Sequence, residues 1–353
     1  MVARLPSKPP GRERSVPVAS ARNGGIAMSL RRAGQASLTL SALLTLGVAA
    51  TAPAAAQQYP AQPITIVVAA AAGGFADGVA RTVGEKLGER LGQSLVVENR
   101  GGAGGNLGAR QVARSKPDGY TILVSTTSMA INGTLYKNMG YATADIRPAA
   151  IVGSAPEAIV VNPNNPAKNL AEFVQAGKGK SIEYGTAGVG SGSFIAAEYF
   201  FKVVAKAQTV HVPFPGGAPG ITAVLGGHLG AFAATVSPLI VHINAGKLRG
   251  LGIASPQRYP VVPDVPTYAE SGFPDFHAAS WVGFFVPAKT DNAIVDKLNA
   301  TINEALKDAA VQERLRRFGL QPMYGNTAET ARFFAGEVDH WGKMVKTLGL
   351  SIN

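Results

Sequence analysis

The sequence predicts an α/β protein of two domains, the second inserted into the first, with two crossing strands as the hinge. Short β-branched runs alternate with longer helical stretches from Pro63 onward, the pattern of βαβ units and parallel sheets. The alternation halts at Pro163-Asn164-Asn165-Pro166 and then starts again. A late apolar run, Trp281–Val286, returns to the first block. These breaks divide the mature chain into 57–160 (first part of domain 1), 161–278 (domain 2) and 279–353 (second part of domain 1). One large sheet is the alternative arrangement. The 353 residues are enough for two cores of ordinary size.

Ile64–Val68 is an apolar strand that runs through four alanines into Gly73-Gly74-Phe75-Ala76-Asp77. Val79, Val83, Leu87 and Leu91 then recur every fourth residue, the stripe of a helix lying on a sheet. Ser94–Glu98 is the next strand, Asn99–Asn106 a glycine-rich turn and Leu107–Arg114 a helix. Pro117-Asp118-Gly119 is a turn before the strand Tyr120–Ser125, and a helix follows over Met129–Tyr136. The second block carries strands at Ile182–Tyr184, Thr209–Val212, Ala231–Thr235 and Leu248–Ala254, with helices at Phe194–Val204 and Pro219–Leu225. Pro256–Pro274 is a proline-rich surface connection. The tail is helical, with Ile294, Leu298, Ile302 and Leu306 on one face.

Three strand-to-helix loops are rich in glycine: the one at Gly73-Gly74, one near Gly185–Ser193 and one at Phe214–Pro219. A glycine turn that opens a helix bares backbone N–H groups at the positive end of the helix dipole, which favours an anion. Several such loops without a catalytic set point to a protein that grips a small carboxylate and leaves it unchanged.

The formal charge of +11 suggests nucleic acid, but residues 1–56 carry seven of the basic residues and one acid. The remainder holds 26 basic and 21 acidic residues, spread along the chain. Nucleic acid is therefore discounted, and the cluster Arg314, Arg316 and Arg317 reads as a solvated helical face. Residues 28–56 read as a secretory signal peptide, with Arg31-Arg32 as the charged region, Leu38–Ala50 as the apolar region and Ala54-Ala55-Ala56 as the cleavage site. The apolar run falls short of the ~20 residues that span a bilayer. Ala33-Gly34-Gln35 lack the followers of a twin-arginine signal, so ordinary secretion is expected, and residues 1–27 read as an upstream extension before Met28. With no cysteine, the exported protein relies on its core alone and carries no lipid at a cysteine.

The five histidines (His211, His228, His242, His277, His340) are scattered and none lies in a metal-binding spacing. Gly190-Ser191-Gly192-Ser193 lacks the spacing of a nucleophile elbow. Gly179-Lys180-Ser181 resembles the end of a phosphate loop, but Val174 stands where its first glycine belongs and a strand follows instead of a helix. In Gly101–Gly108, Leu107 takes the last glycine position of a dinucleotide fingerprint. No cofactor and no metal is expected.

Taken together, the segments resemble the periplasmic receptors of tripartite tricarboxylate transporters, the Bug-type solute-binding proteins. The resemblance runs from about Tyr59 to Lys346. It is carried by Tyr59-Pro60 with Gln62-Pro63-Ile64, Gly73-Gly74 with Asp77, Val97-Glu98-Asn99-Arg100 leading to Gly102–Asn106, and Pro117–Thr121. Asn132 with Leu135-Tyr136, His211-Val212-Pro213, Gly246–Arg249, Pro263–Thr267 and Trp281 with Gly283 continue it in order. It implies a type II periplasmic-binding-protein-like fold, with parallel and mixed sheets flanked by helices and a ligand cleft between the domains. It also implies a monomer that captures a small carboxylated solute and hands it to a membrane permease of the same transporter type.

On that resemblance, one carboxylate would sit on the N–H groups of Gly73, Gly74 and Phe75, beside Ala76, where glycine lets backbone come close. Asp77 would cap the helix, or order a water between loop and ligand. Thr186, Gly190, Ser191 and Ser193 would come from one loop of the second domain, and Phe214, Gly216, Gly217 and Ala218 from the other. Turn formation by the glycines and helix capping by the serines are the plain alternatives. Ser128 and Asn132 would face the cleft, with helix capping as the alternative for Ser128. Trp281 would wall the pocket or lie in the core.

The chain departs from the family pattern at Ala69–Ala72, where prolines and an aromatic residue are usual, at Phe194, where a histidine is common, and at Pro215, where a lysine is common. The last two exchanges leave apolar surface, so the expected solute has fewer charges than citrate and a hydrophobic or aromatic body. A ligand-sensing accessory protein and an enzyme acting on a carboxylated substrate are the competing readings.

Overall fold

The computed structural model describes residues 59–353; the upstream extension, secretory segment and cleavage position lie outside the described residues. β1 (Ile64–Val68) leads into α1 (Phe75–Leu91), β2 (Leu95–Asn99) into α2 (Asn106–Ala113), and β3 (Thr121–Thr126) into α3 (Ser128–Leu135). β4 (Ile146–Val161) follows and is 16 residues long. The alternation resumes with α4 (Leu170–Ala176), β5 (Ile182–Thr186), α5 (Gly192–Tyr199), β6 (Thr209–Pro213), α6 (Gly217–Leu225), β7 (Ala231–Thr235), α7 (Ile240–Asn244) and β8 (Arg249–Ile253). β9 (Ala279–Pro287), α8 (Asn292–Leu306), α9 (Ala309–Arg317), β10 (Gln321–Pro322) and α10 (Thr327–Thr347) complete the chain.

The strands are hydrogen-bonded in the order β2-β1-β3-β9-β4-β7-β5-β6, with β8 and β10 also on β4. β1, β2 and β3 are parallel, as are β5, β6 and β7. β9 runs antiparallel to β3, and β4 antiparallel to β9, β7 and β8. The alternating pattern therefore gives two parallel blocks, joined through β4 and β9. β4 pairs with β9 from Ile146 to Pro156 and with β7 and β8 from there on. Its register against β9 slips between Pro148 and Ala150 and between Ile151 and Gly153. A proline cannot donate to a ladder, and bulges are where a sheet tolerates one.

The stripe expected on α1 is real: Val79, Val83 and Leu87 are fully buried on Ile64, Ile66 and Val68. Leu298, Ile302 and Leu306 of α8 close the same core. Gly92 ends α1 in the left-handed conformation, with φ of 66°. α10 is opened by a capping box between Asn326 and Glu329 and buries Phe334, Trp341 and Val345. The helix expected over Phe194–Val204 starts two residues earlier and loosens into a π turn at Phe200–Val204, where adjacent Phe200 and Phe201 are both buried. α6 likewise starts at Gly217, with Pro219 in its first turn, where no intrahelical N–H is needed. Among the described residues, no helix is long and apolar enough to cross a membrane.

α6 lies on β7 with almost no space between them: a Cβ added at Gly220 would lie 2.0 Å from Phe232 Cε2. Phe232 is fully buried and cannot turn away without displacing its neighbours. Gly220→Ala is expected to lower unfolding free energy in urea by about 1–3 kcal/mol, the usual cost of overpacking. A melt indistinguishable from wild type would show that the helix shifts freely on the sheet.

Candidate functional site

Each of the six parallel strands ends in a loop that leads to a helix, which puts six helix starts at the carboxyl ends of the strands. Open α/β sheets bind ligands there. In the first loop Gly73 has φ of 75°, a left-handed conformation, and no atom lies within 4 Å of where its Cβ would be. Gly74 is the N-cap of α1 and brings no side-chain acceptor.

Asp77, buried in the first turn of α1, folds this loop back. Its Oδ2 accepts a hydrogen bond from Gly73 N–H at 2.8 Å. Asn99 Nδ2 donates to Oδ1 at 3.0 Å, and Arg81 Nε donates to both oxygens at 3.1 Å. Desolvation pushes this carboxyl up, but the bonds from Arg81, Gly73 and Asn99 together outweigh it and hold it below its ordinary value. Gly74 N–H reaches the Ala71 carbonyl at 3.3 Å. The amides expected to meet an anion, those of Gly73 and Gly74, are thus held within the loop. The N–H groups of Phe75, Ala76 and Asp77 have no acceptor among the described residues. The open end of α1 therefore begins two residues later than the sequence suggested.

The other helix starts follow the same pattern. Ser191 is the N-cap of α5; its Oγ accepts from Phe194 N–H at 3.1 Å and donates to the Gly188 carbonyl at 2.9 Å. The N–H groups of Gly192 and Ser193 have no acceptor among the described residues. At α6 the N-cap is Gly216, with φ of 128°, and the N–H groups of Gly217 and Ala218 have no acceptor among the described residues. Gly216 and Gly217 also face open space. At α3, Ser128 Oγ lies 3.3 Å from Thr126 Oγ1, and the N–H groups of Ser128 and Met129 have no acceptor among the described residues.

The loops of the two blocks meet. A Cβ at Gly190 would touch Leu135 of α3 at 3.0 Å, and one at Gly192 would lie 2.9 Å from Ser280 Oγ and 3.9 Å from Thr127 Cβ. A Cβ at Gly188 would lie 3.4 Å from the Phe214 carbonyl, and one at Gly105 would lie 3.6 Å from Ser128 Oγ. Ser128, Gly190, Ser191 and Phe214 thus belong to one run of loops.

Several other expected contacts lie inside the protein. Asn132 is buried; its Nδ2 donates to the Gly104 carbonyl and to Asn106 Oδ1, both at 2.9 Å, so it anchors the loop after β2. Thr186 is fully buried, its hydroxyl 2.8 Å from His211 Nε2. Phe194 is buried against the His211 ring, 4.6 Å between centroids, so its side chain adds no surface to the loops. Burial lowers the His211 pKa, with nearby Glu198 opposing and Lys202 reinforcing that shift. Trp281 has its core placement: its indole N–H donates to Glu337 Oε2 at 2.7 Å, away from the loops. Ser193 is buried and turns toward Glu157.

Glu157 is a residue that sequence reasoning passed over. It stands where β4 changes partners, and it is 3% exposed. Its Oε1 accepts from Ser280 Oγ at 2.6 Å and from Thr235 Oγ1 at 3.3 Å, while Oε2 has no partner. Burial pushes its pKa up, and the hydroxyls of Ser280, Ser193 and Thr235 only partly oppose this. The available signal was a lone acid within Ala155-Pro156-Glu157-Ala158-Ile159. Among the described residues, no group of three His, Cys, Asp or Glu is placed to hold a metal ion.

Two parallel blocks joined by long strands, with bare helix starts on the loops between them, define a solute-binding protein of the periplasmic-binding-protein-like fold. The chain belongs to the family described as "Tripartite tricarboxylate transporter family receptor", which it matches over residues 79–350. It is 34% identical over 315 residues to Protein BugT of Bordetella pertussis, covering 88% of this chain and 96% of that one. Among solved structures it is similar to an R. palustris protein with adipate, at 30% identity and a TM-score of 0.76, covering 83% of this chain and 100% of that one. It is also similar to MatC from Rhodopseudomonas palustris with bound malate, at 31% identity and a TM-score of 0.73, covering 81% and 100%.

Two measurements check the carboxyl groups. Asp77→Ala leaves Gly73 N–H without its acceptor and is expected to cost about 1–3 kcal/mol of stability at neutral pH. Because the folded pKa of Asp77 is depressed, its contribution is present above the ordinary carboxylate range and lost as pH falls through the folded value. The gap between variant and wild type should therefore close in acid, and a gap that persists would assign the loss to packing. Glu157 has the opposite sign, since its folded pKa is raised. Its contribution is complete below the unfolded value and declines as pH rises through the folded one. Glu157→Gln should give a flatter stability profile above about pH 4.5 than wild type; parallel profiles would mean that Glu157 is ionised in the fold.

Proposed function

We propose that this protein is a periplasmic receptor that captures an organic acid between two lobes, releases it unchanged and delivers it to a membrane permease of the tripartite tricarboxylate type. In this reading 57–160 with 279–353 form one lobe, 161–278 forms the other, and β4 and β9 cross between them. The leader directs export and is cleaved near Ala56, and the receptor acts as a monomer. The solute carries one or two carboxylates on an apolar or aromatic body.

One observation carries the proposal: free main-chain N–H groups at Phe75, Ala76, Gly192, Gly217 and Ala218, in loops without a lysine or arginine. The stretches 69–77, 126–132, 186–194 and 213–219 contain no basic residue. Each helix start supplies roughly half a positive charge, enough to hold one carboxylate but weak support for three. A solute with a carboxylate at each end can engage a helix start on either lobe, and it stabilises the shut form by its differential affinity for it. The adipate and malate bound in the two relatives are of this kind. Phe75 and Phe214, half-buried in the loops, and Pro215 supply the apolar wall.

Calorimetric titration with adipate, malate, benzoate and citrate tests this. The best of the first three is expected to bind at least about tenfold tighter than citrate, a difference of about 1.4 kcal/mol. The solute should be recovered intact, and the loaded receptor should be retained by membranes that hold the permease. Citrate binding best would overturn the charge assignment, product formation the receptor role, and retention only by membranes without the permease the transport role.

A further inference from the structure

Glu337 of α10 holds a charge that the receptor reading does not use. It lines a cavity of about 720 Å³ with Pro156, Ala279, Met323, Phe333, Trp281 and Trp341. The cavity opens on the face of the β4–β9 pair opposite Ser280 and the glycine loops, because Ser280 and Trp281 are consecutive on a strand and point to opposite faces. None of the glycine-loop residues lines it, and Trp281 of β9 does because its side chain belongs to this side.

The Glu337 Oε2 accepts two hydrogen bonds, from Trp281 Nε1 at 2.7 Å and from Trp341 Nε1 at 2.9 Å. Oε1 has no donor among the described residues. Two buried indoles need an acceptor, but a carbonyl or hydroxyl would meet that need without a charge. Their N–H groups are neutral and leave the negative charge uncompensated. The one arginine on the cavity wall, Arg258, is engaged elsewhere: its Nε donates to both Glu270 oxygens, at 2.9 and 3.1 Å, and its Nη1 to the Pro263 carbonyl at 3.2 Å. His277 and His340 stand exposed at the rim.

We propose that this cavity is a second binding site, for a small organic cation: a protonated amine or guanidinium on an aliphatic or aromatic body. The cationic N–H groups donate to Glu337 Oε1, and the body lies against Trp281, Trp341 and Phe333. A charge-assisted hydrogen bond in a largely apolar cavity is stronger than a neutral one, and aromatic walls add attraction for a cation. The volume is that of ordinary small-ligand pockets, about 300–1,000 Å³.

Trp281 and Trp341 are the two tryptophans of the chain, so intrinsic emission reports on this cavity. The protein is titrated with phenethylammonium and with its neutral counterpart 2-phenylethanol, exciting the indoles selectively. The expected result is a saturable change with the ammonium and at least about tenfold weaker binding of the alcohol. Glu337→Gln, which keeps an acceptor for both indoles, should weaken the ammonium by a similar factor while melting stays near wild type. The wild-type pair of titrations decides the matter alone should that variant not fold. Equal response to amine and alcohol, no saturable response, or unchanged ammonium affinity in a folded Glu337→Gln would overturn the site. A peptide with one lysine, set against its acetyl-lysine form, identifies the source. Competition by the charged peptide alone assigns the cation to a protein partner, and competition by neither peptide assigns it to a free amine.

Discussion

β4 must satisfy hydrogen-bonding partners in both halves of the protein, and the position of every loop in the site depends on how it does so. From Ile146 to Pro156 it runs against β9, which pairs on its other edge with β3. From Glu157 onward its neighbours are β7 and β8. Glu157 sits at this changeover and draws donors from β9 through Ser280 and from β7 through Thr235. Burying an ion there would be costly, whereas a neutral acid with hydroxyl partners is tolerable. The raised pKa and the crossing of the strands are thus two aspects of one packing problem. Gly192, at the mouth of α5, lies directly over this group and leaves no room for a side chain.

What the loops present is set by what the protein leaves unbonded. A helix start always has orphan N–H groups. At α1 a buried Asp77 takes the amide of Gly73 and fixes the loop, but it also adds a negative charge next to the site. Arg81 and Asn99 bond that carboxylate, and the guanidinium offsets its charge. At α5 the Ser191 hydroxyl does the fixing without a charge, and at α6 Gly216 does it by conformation alone. The three loops differ in what steadies them and agree in what they present.

The parallel blocks were legible in the sequence because each strand is short, apolar and followed at once by a periodic helix; β1 with α1 is the clearest instance. The first half of β4 was not, since Pro148, Gly153 and Pro156 interrupt the β pattern that bulges then accommodate. The loops were legible as glycine runs, but the identity of the free amides was not. That depends on Asp77 reaching back four residues, which spacing alone does not distinguish from an N-cap. The departure from the family pattern at Phe194 suggests apolar surface, but in the fold this ring packs on His211, whereas Phe75 and Phe214 are half-buried in the loops. Asn132 and Thr186 were found as polar groups near the loops, but their partners lie within the protein.

Ser280 and Trp281 show how closely the two faces of the central strands are joined. Ser280 meets the Glu157 carboxyl beneath the glycine loops, and the Trp281 indole meets the Glu337 carboxyl on the far side. Between them the Trp281 main-chain N–H donates to Thr127 Oγ1 at 3.0 Å, and Thr127 is the N-cap of α3. The side chains around these bonds are packed to the point where Trp281 is 1% exposed. A close-packed interior transmits strain and does not absorb it. A one-residue slip of β9 would turn both side chains to the opposite faces and break the Ser280–Glu157 and Trp281–Glu337 bonds together.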